Sequence, residues 1–115
     1  MTQPTFDIEK RNAERVSTER PITLQLAQAT ITAKMIDLST IGVGILSDTL
    51  IEKGNEIQLI FSLPNINNKD IILCGIVART AHVQHQYLIG VQFKDASNYL
   101  TSVLDDFVRK HLHDQ

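Results

Sequence analysis

Six short β-type stretches, some alternating apolar and polar residues and others continuously apolar, with no helical periodicity between them, constrain this chain most. They are centred on residues 22–26, 30–38, 43–46, 57–63, 71–81 and 87–93. Where the period is two, successive side chains fall on opposite faces of a half-buried strand, while 43–46 and 71–81 are short or β-rich apolar runs that also read as strands. The breaks are turn-like: Gln28-Ala29, the corner 37–42, the loop 47–55, Pro64-Asn65 with Asn67-Asn68-Lys69-Asp70, and 84–86. Strands at this spacing without crossover helices predict an all-β fold built from antiparallel pairs. A six-stranded barrel is the expected form, because closure removes the unpaired edges that short apolar strands would expose.

The two ends of the chain differ from this middle. Leu100, Val103, Leu104, Phe107, Val108 and Leu112 recur at i, i+3, i+4, i+7, i+8 and i+12, the stripe of a C-terminal α-helix. Ser97 is placed to cap it, and Asp105–Arg109 and Asp106–Lys110 are i,i+4 pairs on the polar side. That stripe is expected to lie across one opening of the barrel. Residues 1–20 carry four acids and four bases and show no sustained period. They read as a flexible arm, with room for one helical turn at 9–14, and residues 21–115 read as the folded domain.

Composition narrows the function. A net charge of −2 gives no global field for nucleic acid or an anionic membrane, so an anionic ligand must be met by a local cluster. Four Phe, two Tyr and no Trp, scattered along the chain, do not make a stacking platform for single strands. No apolar stretch is long enough for a membrane span, and no basic-then-apolar leader opens the chain, so the expected location is the cytoplasm. Cys74 is the only cysteine and sits in the apolar run 71–77, which predicts a buried, inert thiol.

Two motifs carry chemistry. Arg11 and Arg15, four apart on the arm, supply two planar guanidiniums suited to phosphate and to the acceptor edge of guanine. The corner Asp37-Leu-Ser39-Thr-Ile-Gly42 brings a carboxylate, a hydroxyl and a glycine together between two strands. Taken alone, the corner also reads as an Asx-type turn with its glycine in the left-handed region. An Asp-x-Ser-x-x-Gly match arises by chance in on the order of one chain in twenty of this length. Following an Arg-x-x-x-Arg, it favours a ligand site over coincidence. His82 and His85 lack the further partners a metal would need and read as a surface loop, while His111 and His113 suit a solvated helix end. No histidine is spaced to activate Ser39, so no enzyme is expected and no catalytic residue is assigned.

With these residues the chain resembles the PilZ domain family, bacterial receptors for the second messenger cyclic di-GMP. The resemblance spans nearly the whole chain, including the segment Phe93-Lys-Asp-Ala-Ser97 that leads into the helix. It implies that Arg11 and Arg15 hold guanine edges and phosphates, and that Asp37 and Ser39 accept from and donate to the ligand beside Gly42. Many members carry further basic residues in the first motif, where this chain has Asn12-Ala13-Glu14 with Lys10 ahead. It also implies a cyclic di-GMP-dependent relay to an effector protein in motility, biofilm formation or a related output, without a resident cofactor. The alternative reading is an adaptor of the same fold that works through protein contacts and does not bind the dinucleotide.

Overall fold

The computed structural model describes residues 14–64 and 69–113. Its strands are β1 (Val16–Gln25), β2 (Thr30–Leu38), β3 (Gly42–Ser47), β4 (Glu56–Ser62), β5 (Asp70–Val83) and β6 (Gln86–Lys94), followed by helix α1 (Asn98–His113). The strands form a closed barrel in the order β1-β2-β3-β6-β5-β4, and every neighbouring pair is antiparallel. The expected fold class is therefore the observed one.

Alternation builds the core as the pattern demands. Ile22 and Leu24 of β1, Val43 and Ile45 of β3, Ile57, Leu59 and Phe61 of β4, and Ile89 and Val91 of β6 all point inward and are buried. The seam that closes the barrel is the shortest, only Thr23↔Ile60, Leu24↔Leu59 and Gln25↔Gln58. Pro21 lies just before that seam and pairs with Lys34 of β2 on the other side. A proline lacks the N–H that a strand with two partners would need, so it fits there.

Helix α1 starts where expected: Ser97 Oγ accepts from the Leu100 amide at 3.1 Å. Leu104, Phe107 and Val108 join the same core cluster as the barrel side chains. On the polar side Arg109 meets Asp105 at 2.9 Å and Lys110 meets Asp106 at 3.7 Å. Arg20 ties strand to helix, its guanidinium 5.4 Å from the centre of the Phe107 ring while its Nε donates to Thr18 Oγ1 at 3.0 Å.

Two expectations need correction. The first strand begins at Val16, so residues 16–20 belong to the barrel and not to the arm. Val16 and Thr18 face inward, but an irregularity between Ser17 and Arg20 breaks the period and hides the strand. Cys74 is exposed. The inward positions of β5 are Ile71, Leu73, Gly75 and Val77, which leaves Cys74 on the outer face. The arm's remaining residues up to 13, with Arg11, lie outside the described residues.

Candidate functional site

The corner between β2 and β3 is built by Ser39. Its side chain is fully buried, and its Oγ accepts from the amides of Ile41 and Gly42, each at 3.1 Å. The hydroxyl donates back to the Gly42 carbonyl at 3.3 Å, and the Ser39 amide donates to that carbonyl at 2.9 Å. The Ser-x-x-Gly spacing thus closes a local turn and consumes the hydroxyl's hydrogen-bonding capacity within it. Gly42 is required by crowding and not by a left-handed backbone. Among the described residues positive φ occurs at Gly54, Gln84 and Asp95, whereas a Cβ on Gly42 would sit 2.5 Å from the Val91 carbonyl oxygen.

Asp37 faces outward because β2 breaks register between Met35 and Asp37. Met35 and Leu38 are both buried, and the extra residue Ile36 turns the carboxylate out between them. Its neighbour across the ladder is Gly44, where a Cβ would lie 2.7 Å from Asp37 Oδ1 and 2.8 Å from Oδ2. The missing side chain at Gly44 is the seat of the carboxylate. Arg15, just before β1, donates from Nη1 to Asp37 Oδ1 at 2.6 Å.

The same row continues across two more strands. Gly44 pairs with Gly90 of β6, and Gly90 pairs with Arg79 of β5. A second bulge, between Val77 and Arg79, turns Arg79 outward after the inward Val77. A Cβ on Gly90 would lie 3.2 Å from Arg79 Cγ and 3.3 Å from its Nε, so this glycine seats the arginine as Gly44 seats the aspartate. The result is an open trough of about 660 Å³ with a carboxylate and Arg15 at one end and Arg79 at the other. Gly44 and Gly90 form part of its floor, beneath the Asp37 and Arg79 side chains, and the row's ends are three strand spacings apart, about 14 Å between backbones. Ile41 and Leu88, both exposed, line it and offer apolar surface to a flat ring.

Comparison with known proteins fits this geometry to a family. The model of the PilZ domain matches residues 9–110. The chain belongs to the PilZ domain family. By sequence it finds no match among curated proteins. Among solved structures it is similar to the Bacillus subtilis inhibitor of motility MotI/DgrA, with 14% identity and a TM-score of 0.83 over 92% of this chain. It is also similar to the PilZ domain of Escherichia coli YcgR with c-di-GMP, at 15% identity and TM-score 0.71, covering 91% of this chain and 93% of that one. A third is the K. pneumonia MrkH–c-di-GMP complex, at 12% identity and TM-score 0.73 over 91% of this chain. The chain spans about half the length of MotI and MrkH, 53% in each case.

Within this PilZ barrel the structure brings Arg15 and Asp37 into contact and puts Ser39 and Gly42 behind them as the frame of the corner. Sequence reasoning marks Gly44 as a place of close backbone packing but misses Arg79, Gly90 and the apolar rim. A signal was available: Arg79 is the only Lys, Arg, Asp or Glu between Asp70 and Lys94. Glycines 44 and 90 likewise interrupt apolar strands, a sign of close approach.

Proposed function

We propose that this chain is a receptor for cyclic di-GMP that seats a guanine in the glycine-floored trough and relays occupancy to a protein partner. The observation that supports it best is the row Asp37–Gly44–Gly90–Arg79 with Arg15 at its head. Guanine carries donors on one edge and the acceptors O6 and N7 on another, and an arginine fork pairs bidentately with the acceptors. A carboxylate suits the donors, and phosphates between two guanidiniums would receive charge-assisted hydrogen bonds. In this reading Asp37 takes the donor edge, while Arg15, Arg79 and Arg11 take phosphate and acceptor groups. Ser39 and Gly42 hold the corner in shape instead of touching the ligand. The Arg15–Asp37 ion pair stands where the ligand would insert, and binding exchanges it for contacts to the dinucleotide.

Binding and relay, not catalysis, are the proposed work, since the Ser39 hydroxyl is buried and committed to its turn. Among the described residues no helix is long and apolar enough to cross a membrane, and the cytoplasm is the proposed compartment. Calorimetric titration of the full chain with cyclic di-GMP is the test. Binding that weakens in Asp37→Ala supports the reading. No heat at high ligand concentration rejects it in favour of an adaptor that works through protein contacts alone.

A further inference from the structure

β5 is longer than the barrel needs. Its partner on one side, β4, ends its pairing at Glu56↔Ile76. The loop before β4 covers one more step, through Gly54 N–H to the Val77 carbonyl and Val77 N–H to the Asn55 carbonyl. Beyond Val77, among the described residues, only β6 pairs with β5, from Arg79↔Gly90 to Val83↔Gln86. Residues 78–83 are all exposed. An extended edge of this length presents unpaired amides and carbonyls and is a template for another strand.

The charge along this edge is one-sided. No Asp or Glu occurs between Asp70 and Asp95, and Arg79 is the formal charge on residues 78–83. The edge is also partly apolar, with Val83 exposed at 42%. We propose that the free edge of β5 docks an acidic, extended segment of a partner protein, which adds beside residues 78–83 as a further strand. Opposite charges directly across an antiparallel pair stabilise it and like charges destabilise it. A second copy of this chain is the poorer occupant for that reason. Antiparallel self-pairing of the edge would set Arg79 near His82 or near its twin, with no carboxylate to meet either. The inference goes beyond the dinucleotide reading: Ala78, Arg79, Thr80 and Ala81 also line the trough, whereas His82 and Val83 lie outside it, so variants at those two positions test the edge apart from the dinucleotide.

The test uses the full chain and a displayed library of random twelve-residue peptides. Selected peptides are expected to alternate acidic and β-branched residues. Added to isotope-labelled protein, the synthetic form should shift and protect the amides of residues 78–83. His82→Glu is expected to weaken that peptide about tenfold, by setting a carboxylate against an acidic residue at one cross-strand position. Val83→Glu should do the same, and neither should alter a cyclic di-GMP titration. Selection of no peptide, selection without an acidic excess, or a footprint elsewhere on the barrel overturns the proposal. So does a concentration-dependent dimer in sedimentation that protects the same amides, because the edge then belongs to a second copy.

Discussion

Asp37 and Arg79 stand at opposite ends of one cross-strand row, and each is turned outward by a bulge one residue before it. Each also rests on a glycine of a neighbouring strand, Gly44 for the carboxylate and Gly90 for the guanidinium. The mechanical solution is the same at both ends, but the supporting structure is not. Behind Asp37 lies a turn closed by Ser39 and Gly42, where β1, β2 and β3 meet. Behind Arg79 lies a strand paired on one side only. One end is a fixed corner and the other a free edge, and a ligand bridging them would span both.

The largest effect is expected from breaking the fixed end. Gly42→Val drives a side chain against the Val91 carbonyl, a backbone atom that cannot rotate away. Overpacking of this kind costs about 1–3 kcal/mol or more. At this chain length each 1 kcal/mol lowers the melting temperature by about 3–6 °C. Thermal unfolding is expected to show that drop and calorimetry the loss of cyclic di-GMP binding. A variant that melts and binds as the parent does would remove the corner from the account.

Next in size is the comparison itself. Arg15→Ala and Arg79→Ala are each expected to weaken cyclic di-GMP by about 1.5–3 kcal/mol, the worth of a hydrogen bond to a charged group. Neither should move the melting temperature much, since both side chains are exposed. If Arg15→Ala weakens binding and Arg79→Ala does not, the ligand uses the fixed corner only. If both act and the double variant loses less than the sum, the two cations share one phosphate or one base.

Why one end could be read from the sequence and the other could not follows from distance along the chain. The corner is local: Ser39 bonds to residues two and three positions ahead, so its spacing is written in the sequence. The barrel was legible for a related reason, because alternation is local and Ile57, Leu59 and Phe61 need no knowledge of their partners. Arg79 depends on a bulge defined against β6 and on a glycine eleven positions ahead, pairings that single-strand periodicity does not encode. The same failure hid the start of β1, where a break in register masked Val16 and Thr18. Cys74 was misplaced because an apolar neighbourhood in sequence was taken for burial, whereas the pleat alternates.

Ser39→Ala separates shape from contact at the corner. Its hydroxyl satisfies the amides of Ile41 and Gly42, and leaving buried donors unpaired costs about 1–3 kcal/mol. The melting temperature is expected to fall while binding weakens less than in Arg15→Ala. A binding loss as large as that of Arg15→Ala with an unchanged melting temperature would make Ser39 a ligand contact and contradict its turn role.

The smallest effect is expected from an ion pair on the outer face beyond the row. Lys94 donates from Nζ to Glu56 Oε2, and this hydrogen bond to Glu56, reinforced by its charge, raises the Lys94 pKa above the usual 10.5. Because the folded value is raised, the pair's contribution is fully present below the unfolded pKa and is lost as pH rises through the folded one. Both side chains are largely exposed, so solvent screens the attraction and the entropy of fixing two long side chains offsets it. Lys94→Met is therefore expected to leave the melting temperature at pH 7 within error and the cyclic di-GMP titration unchanged. Whatever difference exists between parent and variant should shrink as the pH passes the raised Lys94 pKa, where the parent also loses the charge. The variant is the control for the row: the Arg15–Asp37 pair is also exposed, yet its loss is expected to show in binding because a ligand replaces it. A fall in affinity for Lys94→Met as large as that for Arg79→Ala would mean that the outer face attracts the dinucleotide by charge alone, and that the glycine-floored row is not what selects it.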